Sequence, residues 1–88
     1  MTADVEKLTG WATEALEEAI RAKSKFGPMH SAHQGYAVLL EEMDELWVHV
    51  KTKQDNRNLK AMRAEALQIA AMAICFATDL CDEERGRV

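Results

Sequence analysis

Four carboxylates and five large apolar residues share the nine positions Leu39-Leu40-Glu41-Glu42-Met43-Asp44-Glu45-Leu46-Trp47. Carboxylates at that density suit two kinds of chemistry: holding a hard divalent cation through oxygen, or moving protons to and from water. On a helix, Glu42 and Glu45 fall one turn apart on one face, while Met43, Leu46 and Trp47 fall on another. A further acid, Glu65, stands at the head of a largely apolar stretch running from Ala64 to Leu80. A carboxylate left unpaired among apolar neighbours is costly. Carboxylates brought together raise one another's pKa unless a cation holds them. Mg²⁺, with Mn²⁺ as a substitute, is the simplest cation for an all-oxygen donor set. The competing reading is that Glu65 pairs with a nearby cation such as Lys51 or Arg63.

Helices must position these residues. From Thr2 to about Lys25, apolar residues recur at Val5, Leu8, Ala12, Ala15, Ala19 and Ala22, the alternation of an amphipathic helix. Trp11 falls beside that stripe and reads as a packing aromatic. Gly27 and Pro28 end the first helix. Ser31-Ala32-His33-Gln34 matches a capping box, so a second helix spans about 31–53. On its wheel Tyr36, Leu39, Leu40, Met43, Leu46, Trp47 and Val50 form an apolar sector for the core, and Asp44 lies toward solvent. Asp55 or Asn56 is the expected cap of a third helix over about 57–82. Its apolar character on nearly every side marks it as the central helix. The charged end, from Asp82 to Val88, is expected to fray.

The short link between the second and third helices makes them antiparallel neighbours. Counted outward from a turn between Gln54 and Asp55, Glu45 is level with Glu65, and Glu42 with Gln68, to within about 1.5 Å along the axis. Four oxygen-bearing side chains therefore converge between two helices.

Glu41-Glu42-Met43-Asp44-Glu45, followed on the next helix by Glu65, resembles the E-E-x-x-E…E-x-x-D signature of the MazG-like all-α nucleoside triphosphate pyrophosphohydrolases. Gly35-Tyr36-Ala37-Val38-Leu39-Leu40 adds to the resemblance, which spans roughly His33 to Asp79. It implies a Mg²⁺ site made by Glu42, Glu45, Glu65 and position 68, and hydrolysis of a (d)NTP to the monophosphate and pyrophosphate. The chain departs from the pattern at Gln68, where the family has aspartate; a glutamine oxygen can ligate but brings no charge. Under this reading Glu41 orients or deprotonates the attacking water. Lys51, Lys53 and Arg63, near the hairpin turn, meet the phosphate tail, and His33 lines a base pocket. The alternative function is a non-catalytic helical oligomer, a degenerate nucleotide- or metal-binding protein.

At 88 residues and 48% hydrophobic, the chain makes one all-α domain, a bundle of three antiparallel helices with too small a core to stand alone. A homodimer or homotetramer is the expected completion. A net charge of −4 with no basic patch argues against nucleic acid. Neither a leader sequence nor an apolar run of membrane-spanning length stands out. Cys75 and Cys81, about 9 Å apart along one helix axis, cannot pair and read as reduced thiols of a cytoplasmic protein. His30, His33 and His49 match no zinc or di-iron ligand spacing.

Overall fold

The helix termini are set by identifiable capping contacts. In the computed structural model, which describes residues 2–82, α1 spans Thr2–Phe26, α2 Ala32–Val50 and α3 Leu59–Phe76. The described residues are all-α, with no strand. α1 stops at Gly27, whose φ of 76° carries the chain into the left-handed region that glycine tolerates. Ser31 then caps α2, its Oγ accepting from the Gln34 amide at 3.1 Å. Gln34 reaches back as a capping box requires, but to the amide of His30 at 2.6 Å, one residue earlier than the standard partner.

α2 ends at Val50, short of the expected Lys53. The Arg57 guanidinium takes the Val50 carbonyl, at 2.7 Å from Nη2 and 3.2 Å from Nε, and Nε also donates to Thr52 O. That carbonyl would otherwise accept the next helical amide. Asp55 and Asn56, expected to cap the third helix, lie instead in a short 3₁₀ turn, Gln54–Asn56. Asn58 is the cap, its Oδ1 accepting from the Ala61 amide at 3.0 Å. Past Phe76 the helix loosens into a π-helical turn, Ala77–Cys81. This turn carries Asp79, whose carboxylate accepts from the Met29 amide at 2.9 Å and pairs with Lys23. The α1–α2 loop is thereby tied to the end of α3. The fraying expected of residues 83–88 concerns positions outside the described residues.

α3 is the central helix: α1 and α2 each pack on it and scarcely touch each other. Small residues permit the close approaches. Ala19 of α1 meets Ala71 and Cys75 of α3, with Met29 and Met72 packed around them. Gly35 of α2 lies against Phe76 and Leu80, so closely that a Cβ there would sit 2.6 Å from Phe76 Cδ2.

This interior is thin. Among the described residues only Ala15, Ala19, Ala71 and Cys75 are buried hydrophobics, and no large side chain is fully enclosed. The expectation that the apolar sector of α2 builds the core holds only in part within one chain. Leu39, Leu46 and Val50 are half-buried, whereas Tyr36, Leu40, Met43 and Trp47 are exposed. The radius of gyration, 14.8 Å, exceeds the roughly 12 Å expected of a compact chain this long. With the π turn included, Leu59–Cys81 is a helical stretch of 23 residues, long and apolar enough by length and composition to cross a membrane. Glu65, Gln68 and Asp79 interrupt the apolar run, and the core helix of a bundle meets the same criterion of length and composition.

A candidate carboxylate site beside an open cleft

Close packing of α2 on α3 brings their acids together. Oxygens of Glu42 and Glu45, one turn apart on α2, and of Glu65 on α3 all lie within 4.8 Å of one another. Glu45 and Glu65, counted as level from the turn, do come together, with Glu42 beside them. Glu65 Oε2 is buried and has no hydrogen-bond partner. The competing reading, a salt bridge from Glu65 to Lys51 or Arg63, is not realised. Arg63 instead stacks its guanidinium 5.2 Å from the centre of the Trp11 ring. Among the described residues the salt bridges are Arg21–Glu18 and Lys23–Asp79, and neither reaches the three glutamates.

The electrostatics follow from this crowding. Burial pushes the Glu42 carboxyl above the ordinary range, and repulsion from Glu45 and Glu65 adds to it. Glu65 is raised as well, first by burial and then by the adjacent Glu45 carboxylate, with His49 opposing. A carboxyl whose pKa is higher folded than unfolded binds protons more readily in the native state. Its ionisation therefore costs stability as pH rises through the unfolded and then the folded pKa. The cation-free protein is accordingly expected to melt at higher temperature just below the raised pKa values of Glu42 and Glu65 than at neutral pH. In a Glu42→Gln, Glu65→Gln double variant that acid-side gain should shrink. A melting profile identical in the two proteins would show that the cluster does not carry this strain.

A cleft of about 530 Å³ opens between α1 and α2 with α3 as its floor. Glu41, Glu42 and Gln68 line it together at one side. Phe26, Pro28, Met29, Val38 and Met72 add apolar lining to it. Arg21, Lys23 and Lys25 come to it from α1.

His33, Lys51, Lys53 and Arg63 do not line this cleft. The cleft opens toward the α1–α2 loop, whereas Lys51 and Lys53 sit by the hairpin turn at the other end of α2. His33 is exposed in the first turn of α2, and it is its neighbour Gln34 that faces the cleft. Arg21 and Lys25 were missed because their spacing on α1 reads as an ordinary solvated face. No helical wheel shows that α1 stands apart from α2 across a groove.

The three side chains offer an all-oxygen, anionic set that could hold a metal ion. Comparison with protein-family models, curated proteins and solved structures finds no match to this chain.

Proposed function

We propose that the protein is a Mg²⁺-dependent nucleoside triphosphate pyrophosphohydrolase, converting a (d)NTP and water into the (d)NMP and pyrophosphate. The observation that carries the proposal is the convergence of Glu42, Glu45 and Glu65 within 4.8 Å, with Glu65 Oε2 unsatisfied. The resemblance of Glu41–Glu45 and Glu65 to the MazG-like signature supports the same reading. So does the adjoining cleft, which Glu41 and Glu42 of α2 and Arg21, Lys23 and Lys25 of α1 line together with Glu18.

Glu42, Glu45 and Glu65, with the Gln68 amide oxygen, would hold the cation. When bound, it offsets the charge of the triphosphate oxygens and lowers the cost of charge developing at the leaving group. Lys25 holds the phosphate tail against the α1 wall, and Arg21 is engaged with Glu18. Lys23 is engaged with Asp79 and shapes the cleft. The apolar lining receives the base. Glu41 accepts a proton from the water that attacks the α-phosphorus, whose bond to the bridging oxygen breaks as pyrophosphate leaves. The neutral Gln68 favours the alternative, a non-catalytic nucleotide- or metal-binding oligomer, because a site one charge short holds its cation less tightly.

The decisive assay is a panel of canonical and modified NTPs and dNTPs with Mg²⁺, read for pyrophosphate with and without added inorganic pyrophosphatase. Pyrophosphate from at least one substrate is the expected result. Orthophosphate released directly would replace this reaction with terminal-phosphate hydrolysis, and no turnover of any nucleotide would favour the non-catalytic alternative.

The proposed working form is a homodimer or homotetramer of three-helix chains, in the cytoplasm. Exposed Tyr36, Leu40, Met43 and Trp47 on α2, with Leu16 and Ile20 on α1, are the surface a second copy would cover. Sedimentation is expected to give a dimer or tetramer, and a stable monomer at micromolar concentration would overturn this arrangement.

A further inference from the structure

We propose that the side of the molecule opposite the cleft is where two copies of this chain meet, back to back, in a dimer whose two clefts open outward. The proposal rests on the oligomer reading above and commits it to one face and one stoichiometry. Its first support is where each helix turns its apolar residues. On α2 the cleft is lined by Gln34, Val38, Glu41 and Glu42, while Tyr36, Leu40, Met43 and Trp47 are exposed. At about 100° per residue the two sets point roughly half a turn apart. α3 repeats the arrangement. Gln68, Met72, Cys75 and Asp79 line the cleft, and Ala73, Ile74 and Ala77 are exposed roughly half a turn away. On α1, Leu16 and Ile20 are exposed roughly opposite Glu18, Ala22 and Lys25. The three exposed apolar sets therefore share one side of the molecule.

The area left open matches a second copy. The chain exposes 6895 Å², against roughly 5,200 Å² for a folded monomer of its mass. The excess, about 1,700 Å², falls within the roughly 1,000–2,500 Å² that each chain of an obligate dimer buries.

Shape and charge suit the same partner. α3 floors the cleft, so from behind it stands foremost, with α1 and α2 set back on its flanks. This foremost helix carries small side chains at Ala66, Ala70, Ala73 and Ala77, and the flanks carry the large ones. Two such faces can close α3 against α3, with the bulky flank residues filling the space beside them. A two-fold contact uses the same patch on both chains, so one face is enough. Each chain carries a net charge of −4. Glu41 and Glu42 lie on the cleft side, so two copies meet here without setting those carboxylates against each other. Each chain keeps its whole cleft, and the partner adds no residue to it.

The test uses the full chain in sedimentation and in crosslinking. The native chain should sediment as a dimer at micromolar concentration. Leu40→Lys combined with Met43→Lys should convert it to a monomer, whereas Lys25→Glu, in the cleft, should leave it a dimer. A charged variant can also unfold, so the second measurement leaves the face apolar. It uses a Cys81→Ser background, which removes the exposed native thiol. Ala70 is near the middle of the face, and Ala70→Cys should be joined to its copy by a short bis-maleimide, while Lys25→Cys should not. A dimer that is not joined at Ala70→Cys, or a tetramer, would overturn the proposal and leave the oligomer reading standing. A stable monomer would overturn both, and a monomer that floats with phosphatidylcholine vesicles would make the face a lipid-binding surface instead.

Discussion

Glu42→Gln is expected to lower pyrophosphate release at least about 100-fold, since even groups that only support a metal ligand matter 10- to 100-fold. The carboxamide keeps the shape and the α2 helix but removes one of three charges within 4.8 Å of one another. The same substitution should have the opposite sign on cation-free stability at neutral pH. Glu42 is half-buried, and its ionised form is disfavoured by burial and by the repulsion of Glu45 and Glu65. Removing that charge relieves the others, so the apo protein should melt higher while turning over slower. A variant with full turnover would remove Glu42 from the site, and one that loses both turnover and apo stability would mean that the carboxylate is structural.

The second large effect concerns Gly35, which has no polar group to offer. Building a Cβ there places it 2.6 and 2.8 Å from the Phe76 ring and 2.9 Å from Leu80 Cδ1. At those distances the Phe76 ring or the backbone must shift, so Gly35→Ala should bring overpacking strain of about 1–3 kcal/mol. Against this stands the helical preference of alanine over glycine, about 1 kcal/mol. Gly10 isolates that preference, since nothing lies within 4 Å of a Cβ at that position in the middle of α1. Gly10→Ala should therefore raise the melting temperature and Gly35→Ala lower it. The gap should be roughly 4–8 °C for each kcal/mol separating them in a domain of this size. Because Gly35 sets how closely α2 lies on α3, its substitution should also weaken divalent-cation binding by spreading Glu42 and Glu45 from Glu65. Equal melting shifts at the two glycines would show that the Phe76 contact yields at no cost.

Much of the candidate site was legible before any tertiary contact was known. A helix advances by a constant rise, and a short link forces its neighbour to run back alongside it. Levels along two helices can then be counted from the turn, and Glu45 meets Glu65 as counted, with Glu42 one turn away on the same face. The end of α1 was equally readable, because Gly27 and Pro28 act on the backbone within their own few residues. The α2 terminus at Val50 was not, since it depends on a guanidinium reaching back from Arg57. The Asn58 cap was missed because the 3₁₀ turn consumed the residues nearer the link.

The sequence by itself determined three amphipathic or apolar helices, their order, and which acids of α2 and α3 share a level. All of these follow from local stereochemistry and a fixed rise per residue. Tertiary structure alone decided that α1 and α2 stand apart on α3, which opens the cleft. It also turned Glu18, Arg21 and Lys25 toward that cleft and joined Asp79 to Lys23 and the Met29 amide. Those outcomes depend on interhelical distance, which is set where Gly35, Ala19 and Ala71 let backbones approach and larger side chains hold them off. No periodicity within a single helix encodes a distance to another.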